Sequence, residues 1–506
     1  MAENRVIPEN GEKFYRMGMS DEAFTKAAKD MIEYVIGYYK SLDGRQAFPS
    51  VQPGFMRKLI PENAPQHPEK WEDLFADLDK VVMEGMTHWQ SSRFFAYFPC
   101  ATSYPAILGD ILSDACACIG FTWASSPSCT ELETVVLDWL GKAIGLPDCF
   151  IHKGVGPGLG VVQGTASEAT IMTILAARTK TLKKLEAIYP NLSQHELASK
   201  LVAYTSEYSH SSVERACLIA MVHLHKVTVD KDIAVRGEAL KKAMEKDKDD
   251  GRIPFYVCAT LGTTACCSFD NLQEIGEVCN KEDVWLHVDA AYAGCSFICP
   301  EFRHRMKGIE MVTSYNFNPH KWLMVNFDFS PLWVKNSLDL INSFKLNPLY
   351  LRHDEENVAI DYRHCQIPLG RKFRALKLWF VFRLIGIEGL RHKIREDVAL
   401  AKMFESYVLE DKRFEIVFSV ELGLVCFRLK LYKNDRKKNR DINDRLMRQI
   451  NDSREIHFIS SEVEGIYFLR VSVGVIACDE NAVKNCWEVI KRHTNSLFDQ
   501  IDPSNN

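Results

Sequence analysis

Two hydrophobic rhythms divide the chain. Between about residues 104 and 380, short continuous apolar runs alternate with longer segments of helical period. The runs LVAYTS (201–206), FYVCATL (255–261) and VWLHVDA (284–290) lack polar alternation, which predicts strands covered on both faces, as in a mostly parallel sheet. SEATIMTILAARTKTLKKLEAI (167–188) and SHSSVERACLIAMVHL (209–224) read as the covering helices. Beyond this region the rhythm changes. FEIVFSV (414–420), LGLVCFRLKLY (422–432) and GIYFLRVSV (465–473) alternate as half-buried strands do, and DENAVKNCWEVIKRHTNSLFDQI (479–501) reads as a capped terminal helix. The basic run KNDRKKNRDINDR (433–445) between two of those strands reads as a solvated loop and a helix start.

Ahead of these, residues 20–42 predict an amphipathic helix. Ser20 is its N-cap, Asp21 and Glu22 sit in the first turn, and Phe24, Ala28, Met31, Ile32, Val35 and Tyr39 share one face. A stretch with Pro49, Pro53, Pro61, Pro65 and Pro68 follows and reads as extended. The expected organisation is a poorly ordered polar extension (1–19), an N-terminal helical segment (20–103), a large α/β domain (104–380) and a small C-terminal α+β domain (381–506).

Composition narrows the function classes. The 506 residues carry a formal net charge of −5 from 62 basic and 67 acidic residues, which argues against a general nucleic-acid binder. No uncharged stretch is long enough to span a membrane, and the N-terminal residues show no apolar signal core. The 16 cysteines show no paired metal-ligand spacing, so the expectation is reduced thiols, a cytoplasmic protein and no metal.

Candidate chemistry clusters where apolar runs end. Lys321 lies in NFNPHKWLMVNFD (316–328), next to an apolar run. A buried lysine loses its charge by desolvation and becomes an amine nucleophile near neutral pH, whereas a lone lysine is usually a solvated one. Asp289 ends an apolar strand in WLHVDAAYAG, where a carboxylate can pair with a protonated pyridine nitrogen, or simply cap a turn. VVQGTASEAT places Gly164, Thr165, Ala166 and Ser167 between a strand and a helix start, an anion-binding geometry. His210 follows another strand in YTSEYSHSSVERA. Each signal is weak alone. In this chain order they supply a phosphate cradle, a stacking imidazole, an acid for a ring nitrogen and an amine, the parts needed for pyridoxal 5′-phosphate.

Several long segments carry a resemblance: THWQSSRFFAYFP, CIGFTWASSPSCTELE, VVQGTASEA, HSSVERA, ATLGTT, HVDAAYAG, NFNPHKW and DYRHCQIPLGRKFRALKLWFVFR. With them the chain, from about residue 18 to 498, closely resembles the animal aromatic-L-amino-acid decarboxylases, group II decarboxylases of the type I (aspartate aminotransferase-like) pyridoxal-phosphate fold. The resemblance implies a large domain with a mostly parallel seven-stranded sheet. It implies a homodimer with active sites at the subunit interface, residues 20–103 acting as a dimer clasp. It assigns the Schiff-base lysine to Lys321, the pyridine partner to Asp289 and ring stacking to His210. Thr165, Ala166, Ser167, Asn318 and His320 hold the phosphate; Ala291 packs on the ring and Thr264 lies near it. Trp89, Tyr97, Phe98, Pro99, Cys100, Phe327 and Gly370, with Ile119 and Phe121 from the partner subunit, line the substrate pocket. Arg470 supports the site from the small domain, and Tyr350, on a loop that closes as a lid, is the proton donor.

The implied activity is decarboxylation of aromatic L-amino acids such as dopa, 5-hydroxytryptophan, tyrosine or tryptophan to amines. Relatives that make aldehydes by oxidative deamination replace the tyrosine or the histidine, and histidine decarboxylases carry Ser where this chain has Gly370. Cys100, Tyr208, Phe329 and Cys365 depart from the family pattern and leave substrate choice open.

Overall fold

The structure, a computed structural model, describes residues 18–154, 156–355, 358–432 and 435–501. The polar extension expected to be poorly ordered lies outside them except for Gly18 and Met19. Ser20 caps the first helix, α1 (Asp21–Ser41), by accepting from the Ala23 N–H at 3.2 Å. Its apolar stripe does not become core. Only Ala27 is buried, while Phe24 is 63% exposed and Ile32 51% exposed. The next long helices, α2 (Tyr104–Cys116) and α3 (Pro127–Ile144), differ in the same way. Eight residues of α3 are buried, whereas α2 leaves Tyr104, Leu108, Ile111 and Leu112 exposed.

The centre is a seven-stranded sheet. In chain order come β1 (Leu159–Gln163), α4 (Ala166–Ile188), β2 (Leu201–Ser206), α5 (Ser211–Ala220), β3 (His223–Val227) and α6 (Gly237–Asp249). They are followed by β4 (Ile253–Thr260), α7 (Leu272–Lys281), β5 (Trp285–Asp289), β6 (Ser314–Asn316), the one-turn α8 (Pro319–Trp322) and β7 (Ser330–Val334). The spatial order is β1-β7-β6-β5-β4-β2-β3. Neighbours from β6 to β3 pair in parallel, and β7 runs antiparallel to both β1 and β6. Every residue of β1, β2, β5, β6 and β7 is buried, which is why those runs show no alternation. Because β1, β2, β4, β5 and β6 point the same way, the residues following each strand share one edge, where open α/β sheets bind ligands.

The helix α9 (Ala375–Leu384) crosses α2 closely. A Cβ on Gly109 would stand 3.0 Å from the Leu376 backbone, so the contact requires glycine. After α10 (Gly386–Glu410), the chain builds a four-stranded antiparallel sheet from β8 (Phe414–Ile416), β9 (Leu424–Leu429), β10 (Ile459–Val463) and β11 (Ile466–Ser472), in the order β10-β11-β9-β8. The helices α11 (Arg436–Ser453) and α12 (Glu480–Ile501) complete it. The strand expected over 414–420 stops at Ile416, and β10, absent from the sequence reading, fills the edge. Most of its residues are only half-buried, so its sequence ISSEV carries little apolar signal. Among the described residues no helix is long and apolar enough to cross a membrane.

Candidate active site

Lys321 sits in α8, a single turn opened by Pro319, whose missing N–H costs nothing at a helix start. Its amine makes no hydrogen bond or ion pair with any described residue and lies 5.4 Å from the centroid of the Phe98 ring. The residue is enclosed in the fold yet keeps some accessible surface, as an amine at the floor of a cavity does. Desolvation lowers its pKa, and the charges of Asp289 and Cys295 oppose that fall.

Asp289 closes β5 at 4% exposure. One carboxylate oxygen accepts from the Ala291 N–H at 2.9 Å, and the other has no donor among the described residues. The Ala291 carbonyl in turn accepts from the Asn318 N–H at 3.0 Å, which ties the acid's turn to the lysine's. His210 precedes α5 as its N-cap. The Ser212 N–H donates to His210 Nδ1 at 3.2 Å, so the neutral ring carries its proton on Nε2. The ring is exposed in the single chain, but surrounding protein still lowers its pKa by desolvation, with Asp289 raising it and Lys321 lowering it.

Thr165 caps α4, accepting from the Glu168 N–H at 3.2 Å, while the Glu168 carboxylate returns to the Gly164 N–H at 2.8 Å. The N–H groups of Ala166 and Ser167 have no acceptor among the described residues, which leaves an anion-binding helix start. Asn318 is buried, and its Oδ1 accepts from Ser330 Oγ at 2.7 Å. His320 Nδ1 accepts from the Phe329 N–H at 2.9 Å, and burial, followed by Lys321 and Lys377, pulls the ring down to about 3. The exposed Thr264 follows β4, and its carbonyl accepts from Arg470 Nη2 at 2.8 Å. Arg470, 2% exposed, also donates Nε to the Ala265 carbonyl at 3.0 Å and lies over the Phe98 ring at 5.4 Å.

The residues expected to form one pocket fall into four groups. Phe98 stands beside Lys321 and stacks on Tyr292 at 3.9 Å, with Pro99 buried next to it in sequence and Cys100 half-buried. Burial raises the Cys100 thiol. Trp89 and Tyr97 stack on each other at 5.3 Å, and Phe327, exposed, leans on His320 at 4.8 Å. Ile119, Phe121 and Gly370 form a separate cluster, described below. Tyr350 is 79% exposed on a short turn, Leu349–Leu351, and no hydrogen bond or ring contact joins it to Lys321.

The sequence reading missed Ser330, which orients Asn318, and the Phe329 N–H, which fixes the His320 tautomer. It also missed Tyr292, sandwiched between Phe98 and Trp322. The reversal that brings residues 327–330 back over α8 creates the Ser330 and Phe329 contacts and has no local signature.

The donors present match pyridoxal 5′-phosphate at each of its ends. An unpartnered desolvated amine suits an aldehyde, a carboxylate oxygen without a donor suits a protonated pyridine nitrogen, and free N–H groups at a helix start suit a phosphate.

Comparison with known proteins agrees. The model of the pyridoxal-dependent decarboxylase conserved domain matches residues 53–430. The aromatic-L-amino-acid decarboxylase of Sus scrofa is 51% identical over 94% of this chain and 96% of its own. Among solved structures, Oryza sativa TDC with PLP and tryptamine superposes with a TM-score of 0.91 at 35% identity, over 94% of this chain and 99% of that one. The 4-hydroxyphenylacetaldehyde synthase of Rhodiola rosea superposes at 0.88 with 36% identity, over 95% and 99%.

Proposed function

Since the chain belongs to the pyridoxal-dependent decarboxylase family, we propose that it decarboxylates aromatic L-amino acids to the corresponding amines at the site built around Lys321. The observation that carries the reading is the Lys321 amine, enclosed, unpartnered and depressed in pKa, beside a carboxylate with one oxygen free. Bound there, pyridoxal 5′-phosphate supplies an electron sink that lets an amino acid lose carbon dioxide from its α-carbon.

The chain's own residues do the rest. Desolvation favours the neutral form of the Lys321 amine, which would hold the cofactor's aldehyde. The free oxygen of Asp289 would pair with the cofactor's protonated ring nitrogen. The N–H groups of Ala166 and Ser167, with Thr165, Asn318 and His320, hold an anion at the opposite end. His210 presents an Nε2 proton from the end of β2, and Ala291 and Thr264 border the same space. Phe98 gives the amine an apolar wall. The Tyr350 phenol, on the exposed turn Leu349–Leu351, supplies the proton that completes amine formation once that turn closes over the site.

The exposed apolar faces of α1 and α2 support assembly as a homodimer, with Ile119, Phe121 and the neighbouring Gly370 of one copy completing the pocket of the other, alongside Trp89, Tyr97, Cys100 and Phe327. All 16 cysteines are free, which supports a cytoplasmic home. Purified protein loaded with cofactor and given dopa, 5-hydroxytryptophan, tyrosine and tryptophan tests the reading. Carbon dioxide and stoichiometric amine are expected; aldehyde with hydrogen peroxide as main products would overturn it in favour of an aldehyde synthase. Sedimentation of a fully active monomer would overturn the dimer.

A further inference from the structure

The cluster of Ile119, Phe121 and Gly370 is held by one side chain that no pocket assignment includes. Gln366 is buried at 4%, and its Nε2 donates to three successive carbonyls, those of Pro368, Leu369 (3.1 Å) and Gly370 (3.3 Å). Its Oε1 accepts from Arg371 Nη1, so the amide cannot turn over without losing both sets of bonds. Arg371, 2% exposed, is pinned in turn by the Glu133 carboxylate and the Val162 carbonyl (3.3 Å). Glu133 is itself 1% exposed and accepts from the Val162 N–H at 2.8 Å. The loop 367–370 is therefore suspended from β1 and α3 through Gln366.

That loop is joined to the segment opposite. The Gly120 N–H donates to the Arg371 carbonyl at 3.2 Å, and the Arg363 N–H donates to the Phe121 carbonyl at 3.0 Å. A Cβ on Gly370 would meet only Ile119, at 3.6 Å. Ile119, Ile367 and Leu369 are all more than two-fifths exposed, an apolar rim on a polar scaffold. Glycine at 370, left without a side chain, gives the rim a notch whose depth depends on the path of the loop.

We propose that Gln366 is a specificity-determining positioning residue. Its three donated hydrogen bonds set the height of the Leu369–Gly370 notch and the distance between that notch and Ile119, and so the size of aromatic side chain the pocket accepts. This rests on the assignment of Ile119 and Gly370 to the substrate pocket.

The test substitutes Gln366→Glu, which keeps the shape and the bond from Arg371 but turns a carboxylate oxygen toward the three carbonyls. Gln366→Met, which keeps the length and removes the donors, is the second variant. In holoenzyme, the ratio of kcat/KM for 5-hydroxytryptophan to that for dopa shifts by about fivefold or more in either variant, the range a reshaped apolar pocket gives. KM moves more than kcat, and the absorbance of bound cofactor stays as in the parent. In a cycle with Ile119→Ala the two effects on the ratio are not additive, because Gln366 acts through that wall. Losses equal for both substrates, or failure of both variants to fold, make Gln366 a structural residue and overturn the proposal. A parent enzyme that decarboxylates no aromatic amino acid overturns the pocket assignment, and the proposal with it.

Discussion

Trp322 donates its indole N–H to Asp397 at 2.8 Å, and this bond anchors the residue next to Lys321 to α10. Asp397 is fully buried and also accepts from Lys393 at 2.8 Å. Burial raises its pKa, and Lys393 opposes that rise. The turn that aims the reactive amine is thus fastened to a helix far along the chain.

Asp397→Ala leaves a buried indole N–H and a lysine without their acceptor, at a cost of roughly 2–4 kcal/mol. Asp397→Asn keeps an acceptor for the indole and costs about 1 kcal/mol, the size of one weakened bond. Urea midpoints measure both. Cofactor retained through gel filtration falls for Ala and stays near parental for Asn. Equal behaviour of the two variants would mean that the Trp322 bond does not position α8.

His320 gives a pH prediction with a definite sign. Its folded pKa, about 3, lies below the ordinary 6.5, so between those values the unfolded chain holds a proton that the folded ring refuses. The contribution is fully present above pH 6.5 and is lost as pH falls toward 3. Asn at 320 keeps an acceptor for the Phe329 N–H and does not titrate. Cofactor-free His320→Asn protein therefore loses about 1 kcal/mol less stability per pH unit than the parent over this window. Parallel slopes in denaturant titrations of the two would refute the assignment. His287, pulled to about 4 by burial, adds the same trend to both proteins and cancels in the difference.

Lys321→Ala removes an enclosed amine that has no hydrogen-bond or ion-pair partner among the described residues, so folding stability stays level or rises slightly. The absorbance of enzyme-linked cofactor near the visible edge disappears, and kcat falls by about a thousandfold or more for want of the nucleophile. Parental turnover in this variant would remove Lys321 from the chemistry.

The central sheet and the strand-end residues were legible because each of Gly164, His210, Asp289 and Lys321 closely follows or opens an apolar run, and a parallel sheet gathers such ends on one edge. What depends on long-range approach was not. Ser330 reaches Asn318 only through the reversal before β7, and Gln366 is fixed only because its partner Arg371 is pinned by Glu133, 238 positions away. The stripe of α1 was read correctly as apolar, but periodicity cannot say whether the cover is the chain itself or another copy.

If Tyr350 supplies the proton, as proposed above, it decides which product leaves. Once carbon dioxide has gone, the α-carbon either takes a proton, giving amine, or is oxidised by dioxygen, giving aldehyde, ammonia and hydrogen peroxide. A phenol can supply that proton when the loop closes. The side chain is 79% exposed and makes no ring contact with a described residue, so Tyr350→Phe leaves the thermal midpoint unchanged. That separates chemistry from folding in a single variant. Carbon dioxide release continues, the amine yield falls, and peroxide appears in proportion to the missing amine. His210→Asn is expected to move the product the same way, since the imidazole carries its proton on Nε2, away from the bond that holds Nδ1. If Tyr350 only packs the closed loop, phenylalanine packs as well and amine remains the sole product. Carbon dioxide, amine and peroxide measured together distinguish the two: stoichiometric amine at the parental rate, with no peroxide, would assign the proton to another group.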